Sequence, residues 1–404
     1  MKQQNIFTSS PRMTMDEAIE LTKQSLSAYG DSHSHWGIAW SGGKDSTATL
    51  SLVLHLLETK QIKQPEKLTV FYADTRQELP PLAIAANRIM GELLKRNIDV
   101  KVVRAPIDKR FLVYILGRGV PPPNNNTLRW CTRQIKVDPM SDAIAAELAQ
   151  SDQTTLMITG VRQGESAIRD RRIELSCSKD GGECGQGWYQ SVLPESKGIK
   201  GKIATLAPLL HWRVCHVWDW LKVYAPAQEY GGLPTGIIAD AYGGDEAEEI
   251  NARTGCIGCP LAQKDTALDA IINMPYWSYL EPLKRLRPLY WSLREPKNRL
   301  KKDGLERLKD GSIGKNPQRM GPLTLNARIN ALSQIIAIQK EINQKAIILN
   351  RPTIDILNHE EISRIEQLII AKTYPNKWNG DEPIATTSMD SVYSNGTVQP
   401  QLFY

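Results

Sequence analysis

The run Ser-Gly-Gly-Lys-Asp-Ser, residues Ser41–Ser46, constrains this chain more than any other stretch. A short apolar segment precedes it (Trp36, Ile38, Ala39, Trp40), and Thr47 to Leu57 follow as a helix-forming sequence. Strand, glycine-rich turn and helix N-terminus in that order make a cradle for a pyrophosphate. The backbone N–H groups around Gly42 and Gly43 are open to an anion because no side chain blocks them. The helix dipole and the unpaired N–H groups at Asp45 and Ser46 add positive potential, and the Ser41 and Ser46 hydroxyls can donate. Lys44 supplies a point charge. The Walker spacing, four residues between Gly and Gly-Lys, is absent, which excludes a P-loop NTPase.

At 404 residues the chain can bury a large core and has room for two or three domains. No apolar run approaches the ~20 residues needed to span a membrane. The first residues, Met1 to Thr8, lack an apolar signal segment, so a soluble cytoplasmic protein with no membrane partner is expected. Six cysteines are too few for a secreted disulfide scaffold and point to metal or redox chemistry. The net charge of +6 is concentrated: Lys284 to Arg319 hold twelve Lys or Arg against four Asp or Glu, a local +8. With Tyr290 and Trp291 beside it, such a segment suits a polyanion, although a solvated helical surface reads the same way.

The first 30 residues should hold an amphipathic helix, Met15 to Ser27, with Thr14 as N-cap. Strands are expected near Gly37–Trp40, Lys67–Asp74, Asp99–Arg104 and Thr154–Gly160, and a further one at Leu206–Trp212. Helices are expected at Ser46–Lys60, Leu82–Arg96 and Met140–Gln150. Alternation of this kind gives an α/β fold, a parallel sheet with helices on both faces. Arg171 to Lys202, polar and glycine-rich with Cys177 and Cys184, reads as an inserted loop. Beyond Cys259 the chain turns helical, with Leu325, Ile329, Leu332 and Ile336 as the apolar face of one helix and Ile354–Ile370 as another. The expected division is 1–30, an N-terminal helix; 31–262, the α/β domain; 263–372, a basic helical region; and 373–404, a mobile tail.

Asp74 ends the second strand, at the edge where parallel sheets bind ligands. It can accept from a ribose hydroxyl or an adenine amine, help hold Mg²⁺, or simply cap a helix. After the fourth strand, Gly160 to Arg169 place Arg162 and Arg169 to clamp phosphate or sulfonate oxygens, with Glu165 to orient an arginine and Ser166 as a further donor. Cys131 sits in Arg-Trp-Cys-Thr, where Arg129 and Arg133 should lower its thiol pKa. Cys256 and Cys259 form a C-x-x-C turn that can bind zinc, close a disulfide or hold an iron–sulfur cluster.

Taken in order, the loop, Asp74, the Arg-Trp-Cys-Thr run, Gly-x-Arg-x-x-Glu-Ser and Gly-Cys-x-x-Cys-Pro resemble the phosphoadenosine-phosphosulfate (PAPS) reductase family of PP-loop ATP pyrophosphatases. The likeness covers roughly residues 36–262. Within that family the chain is most similar to the DndC sulfurtransferases of DNA phosphorothioation, and Tyr276 and the run from Arg319 to Arg328 add to that likeness. The resemblance implies an adenine nucleotide alpha hydrolase-like fold, with ATP and Mg²⁺ bound by Ser41, Gly42, Gly43, Lys44, Asp45, Ser46, Asp74, Arg162, Glu165, Ser166 and Arg169. Lys44, Asp45 and Asp74 would be catalytic. It also implies a [4Fe–4S] cluster on Cys131, Cys256 and Cys259. The family's further cysteine before the C-x-x-C pair is missing here, so the fourth ligand falls to Cys184, Cys177 or Cys215, or to none. A Cys₄ zinc site is the alternative.

The function implied is an ATP-dependent sulfurtransferase that adenylates its substrate, with a DNA backbone phosphate as the expected acceptor and a cysteine desulfurase as the expected sulfur donor. A PAPS or adenylylsulfate reductase is a second reading. It is weakened because the family's tail cysteine has no counterpart after Cys259, and Glu183–Gly185 only echoes it mid-chain. A non-catalytic nucleotide- and DNA-binding subunit is the third.

Overall fold

Trp36, Ile38 and Trp40 alternate with Gly37 and Ala39 along one strand, and this two-residue period decides which side of the sheet each element covers. In the computed structural model that strand is β1 (His35–Trp40). The residues described are 13–124, 129–149, 154–164, 167–176, 182–183, 187–191, 202–243, 254–302, 310–312, 314, 319–387, 390–393 and 395–400. β1 pairs in parallel with β2 (Lys67–Ala73) on one side and β4 (Thr155–Ile158) on the other; β3 (Asp99–Val103) and β7 (Ile203–Ala207) extend the sheet outward. Two short antiparallel strands, β5 (Gly182–Glu183) and β6 (Trp188–Gln190), complete the order β3-β2-β1-β4-β7-β6-β5. The chain winds outward from β1 in one direction and returns to build in the other, so β1/β4 is the switch point.

The register sorts the faces. Ala39 lies opposite Phe71, and Gly37 opposite Met157. Phe71, Met157, Val103 and Ile203 form one cluster with Leu148, covered by Met140, Ala143 and Ile144 of the helix Asp138–Leu148. On the other side Trp40 donates its indole N–H to Thr47 Oγ1 at 2.9 Å, joining the sheet to α2 (Lys44–Glu58). Every residue of α2 from Lys44 to Leu57 is buried. A helix apolar or satisfied all round is a central element, not a surface one. The first helix, α1 (Met15–Gly30), carries the expected Thr14 capping box and runs three residues beyond the expected end. It is tied in where Trp212 Nε1 donates to Ala18 O and Thr22 Oγ1.

The chain divides into two compact units, and the division is not the expected one. The first comprises Met1–Asp74, Pro80–Val103 and Met140–Thr254; the second comprises Thr75–Leu79, Arg104–Pro139 and Gly255–Tyr404. Cys131, Cys256 and Cys259 therefore belong to the second unit and not to the sheet domain. In that unit the helix Leu325–Ile348 buries Ala327, Ala331, Ile335, Ile338, Ile342 and Ala346, while Ile329 and Ile336 face solvent. Of the expected face Leu332 is buried as well, but the stripe is rotated from the expected one, because alanines supply three of its eight buried positions. The helix His359–Ile370 starts later than expected: Asn358 and Glu361 form a reciprocal capping box that sets the first turn.

The expected mobile tail also needs correction. Trp378 is buried, with Lys302 Nζ 4.2 Å from its ring centroid, and the N–H groups of Lys301 and Ala385 donate to the carbonyls of Pro383 and Arg299. Ser391–Val392 pair antiparallel with Val398–Gln399. Polar composition concealed one large aromatic anchor. Among the described residues no helix is long and apolar enough to cross a membrane.

Candidate nucleotide site and cysteine group

The loop Ser41–Ser46 leaves the carboxyl end of β1 and becomes the first turn of α2. Gly42 has φ +73°, a conformation that suits glycine, and Gly43 is the extended residue before the helix, with no side chain capping it. The hydroxyls expected to donate to phosphate are bonded to the loop itself. Ser46 Oγ accepts from Ser41 N–H at 3.2 Å, contacts Ser41 Oγ at 3.1 Å and donates to Gly43 O at 3.1 Å. These bonds hold the loop closed on the first turn of α2.

Beneath the loop lies a buried charge group. Lys44 Nζ is 3.0 Å from Asp45 Oδ2, and Arg162 Nε donates to Asp45 Oδ1. Arg162 also donates from Nη1 to the carbonyl of Trp212 at 3.1 Å and is 3 % exposed. Burial works against the charge of Asp45, but the Arg162 guanidinium and then the Lys44 ammonium hold its carboxyl below the usual carboxylate range. Arg162 is thus placed as the support of Asp45, not as the open anion clamp expected. Two cations against one carboxylate leave one net positive charge at a helix N-terminus.

Gly160 explains why the fourth strand ends as it does. A Cβ built there would lie 2.7 Å from Ser46 Cα and N and 2.8 Å from the Asp45 carbonyl carbon. Only glycine lets the end of β4 close on the loop. Asp74 directly follows β2, half-buried, its N–H bonded to Val103 O at 3.0 Å. Glu165 and Ser166 lie outside the described residues, as does the side chain of Arg169, whose backbone falls in the helix Ala167–Ser176.

Tyr242 is a member of this site that sequence reasoning missed. It sits among glycines and prolines, and a lone tyrosine carries no motif. Its hydroxyl accepts the Lys44 N–H at 3.3 Å, and Lys44 Nζ stands 5.1 Å from its ring centroid.

In the second unit Cys131 sits in the helical turn Trp130–Thr132. Trp130 holds that turn, stacked 5.5 Å from Phe111 and edge-on 4.8 Å from Tyr114. The C-x-x-C turn is closed by Cys259 N–H to Cys256 O at 3.1 Å, and Ile257 N–H reaches Gln77 O at 2.9 Å. Gly258 has φ +60°, and a Cβ there would meet Leu286 Cβ at 2.7 Å. The expected lowering of the Cys131 thiol is reversed. Burial pushes it up, the charge of Cys259 adds to this, and Arg133 turns away to Asp138 at 3.1 Å. Cys256 is pushed up to about 12 by the atoms crowding its sulfur, with Cys259, Glu78 and Cys131 adding repulsion, although part of the residue reaches solvent.

The three thiols therefore sense one another's charge, a donor set suited to a cationic centre. Even so, among the described residues no three His, Cys, Asp or Glu side chains converge as a metal cage. Cys177 and Cys184 lie outside the described residues, and Cys215 is exposed in the first unit.

Most described cations of the basic segment are engaged. Lys284, Arg285, Arg287 and Lys297 pair with Asp269, Glu341, Asp265 and Glu295. Arg294 and Arg299 donate to backbone carbonyls. Charge counting overstated what this segment offers a polyanion.

The mainly parallel sheet, with a glycine loop leading from β1 into α2 at the switch point, defines a doubly wound α/β protein. Residues 35–225, just under half of the chain, match the family model described as the phosphoadenosine phosphosulfate reductase domain. An uncharacterized protein of Methanocaldococcus jannaschii is 25% identical over 184 residues, 46% of this chain; the match spans 30% of that relative's length. Among solved structures the chain is similar to PAPS reductase from Candida auris in a phosphate complex: 11% identity, 53% of this chain, 86% of that chain, TM-score 0.32. It is also similar to the U34-tRNA thiolase NcsA from Methanococcus maripaludis with its [4Fe–4S] cluster: 14% identity, 69% of this chain, 76% of that chain, TM-score 0.33.

Proposed function

We propose that this chain is an ATP-dependent sulfurtransferase that activates its acceptor by adenylation. The observation that carries the reading is the buried Lys44–Asp45–Arg162 group. It leaves one net positive charge beneath a glycine loop at a helix N-terminus. Such a group suits the β- and γ-phosphates of ATP, with Mg²⁺ near Asp74. An acceptor oxygen attacks the α-phosphorus; a new P–O bond forms, the bond to the β-phosphate breaks, and pyrophosphate leaves with the electron pair. A sulfur nucleophile at the sulfide level then attacks the activated acceptor and displaces AMP. Lys44 and the loop N–H groups stabilise the departing pyrophosphate.

Cys131, Cys256 and Cys259 would hold a [4Fe–4S] cluster, with a fourth donor outside the described residues or an open iron; when bound, it would supply an iron site able to carry sulfide. The acceptor we infer is a DNA backbone phosphate, and the sulfur donor a cysteine desulfurase, whose persulfide sulfur reaches the sulfide level with two electrons from an external dithiol reductant. Both rest on the sequence resemblance. The structure weakens the basic segment as support, since its cations are largely paired.

The test is pyrophosphate release from ATP by anaerobically purified full-length protein, with iron, sulfide and zinc measured on the same sample. Release that is lost in Asp45→Ala supports the reading; a wild-type protein that neither binds ATP nor releases pyrophosphate overturns it. Zinc without iron would replace the cluster by a zinc site. DNA retention unaffected by salt would remove DNA as a charge-bound acceptor.

A further inference from the structure

Tyr242 lies at the end of the short helical segment Gly236–Tyr242, stopped by Gly243 at φ +109°. It is 5 % exposed. Trp218, fully buried, stands edge-to-face against it with ring centroids 5.0 Å apart and planes at 70°. The ring is thereby fixed, and the hydroxyl lies on the face of the phosphate loop. It is 3.3 Å from Lys44 N and 3.4 Å from where a Cβ on Gly43 would be.

That hydroxyl accepts from Lys44 N–H at 3.3 Å. Its own proton has a weak partner among the described residues: Thr254 Oγ1 at 3.5 Å, in a hydroxyl pair where either oxygen can donate. A phosphate oxygen at ordinary hydrogen-bond distance would be the stronger acceptor. An oxygen bound on the loop amides would lie beside the phenol.

We infer that Tyr242 is a nucleotide-binding residue: its hydroxyl bridges the loop and the ligand, accepting from Lys44 N–H and donating to a phosphate oxygen. This deepens the nucleotide reading and rests on it. The phenol would contribute a directed donor where Lys44 contributes only a point charge, so it would act on phosphate binding and not on adenine.

The experiment is calorimetric titration of a non-hydrolysable ATP analogue, and separately of inorganic pyrophosphate, into full-length wild type and Tyr242→Phe. The variant keeps the ring on Trp218 and under Lys44. The expected result is affinity weakened about tenfold for both ligands, the size of one hydrogen bond to a charged group. The ligand-free unfolding midpoint should stay near wild type, which separates a lost contact from a lost fold. Equal affinity overturns the inference. Tighter binding also overturns it, and would mean that the hydroxyl competes with phosphate for the Lys44 N–H. Wild-type protein that binds neither ligand would instead sink the nucleotide reading itself.

Discussion

Arg162 Nε donates to Asp45 Oδ1 across 117 residues of sequence, joining the end of β4 to the first turn of α2. Removing either partner strands a buried charge. Arg162→Met is expected to destabilise the first unit by about 3 kcal/mol, in the range found when one member of a buried pair is lost. Asp45→Asn should cost less at neutral pH because the amide oxygen still accepts. Asp45 is held below its unfolded value of about 3.9, so its contribution is complete above that pH and is lost as pH falls through the lower folded value. Acid unfolding followed by circular dichroism should show the wild type losing stability below pH ~4 and Asp45→Asn losing less over the same window. Parallel curves for the two proteins would show that Asp45 is not the titrating group.

Gly160 and Gly91 offer a contrast of sign. A methyl at 160 meets the backbone of Ser46, which cannot yield, so Gly160→Ala should cost about 1–3 kcal/mol and weaken ATP binding beyond that loss. Gly91, within the helix Pro80–Lys95, has nothing within 4 Å of an added Cβ. Gly91→Ala should stabilise by about 0.5–1 kcal/mol through helix propensity. Denaturant midpoints for the pair provide the check; a neutral Gly160→Ala would mean that β4 does not press on the loop.

Local signals carried the sheet well, because each β–α unit announces itself through an apolar run, a turn and a helix start. The strand at 67–73, the Thr14 cap and the loop geometry were all legible for that reason. What failed was long-range. Nothing near Arg162 says that its guanidinium is spent on Asp45 and Trp212, since that depends on which strands become neighbours. The same holds for Cys131: its flanking arginines are adjacent in sequence, but Arg133 turns to Asp138 and burial sets the thiol. Tyr242 needed a contact 198 residues away to be noticed. The unit boundary escaped because the chain leaves the first unit after Val103 and returns to it at Met140, so sequence order and spatial grouping differ.

The raised Cys256 thiol gives a reactivity order in metal-free protein. Thiolate is the nucleophile, and a group pushed to about 12 is almost wholly protonated near neutrality. Cys215 and Cys256 are both exposed residues, so the raised thiol and not access sets the order: Cys215 should be alkylated by iodoacetamide well ahead of Cys256 at pH 8, as read by peptide mass spectrometry. Rates for Cys256 should rise as pH approaches 12. Early labelling of Cys256 would mean that the three sulfurs do not crowd one another.

Arg328 is fully buried, and among the described residues no carboxylate pairs with it. Its donors run to the carbonyls of Leu116, Gly117 and Thr373, and its guanidinium lies 5.3 Å from the Tyr374 ring. The cation thus closes the end of the turn Val113–Gly117, whose last carbonyls lack helical partners. The run from Arg319 to Arg328, read from sequence as part of a functional likeness, is at Arg328 a structural device. Arg328→Met should leave those carbonyls unpaired and destabilise the second unit by about 3 kcal/mol. Arg328→Lys should recover only part, since an ammonium cannot span the three oxygens with a planar fork. Pyrophosphate release per folded molecule should be unchanged in both. A stable Arg328→Met protein with lost activity would reverse the assignment and return this arginine to the chemistry.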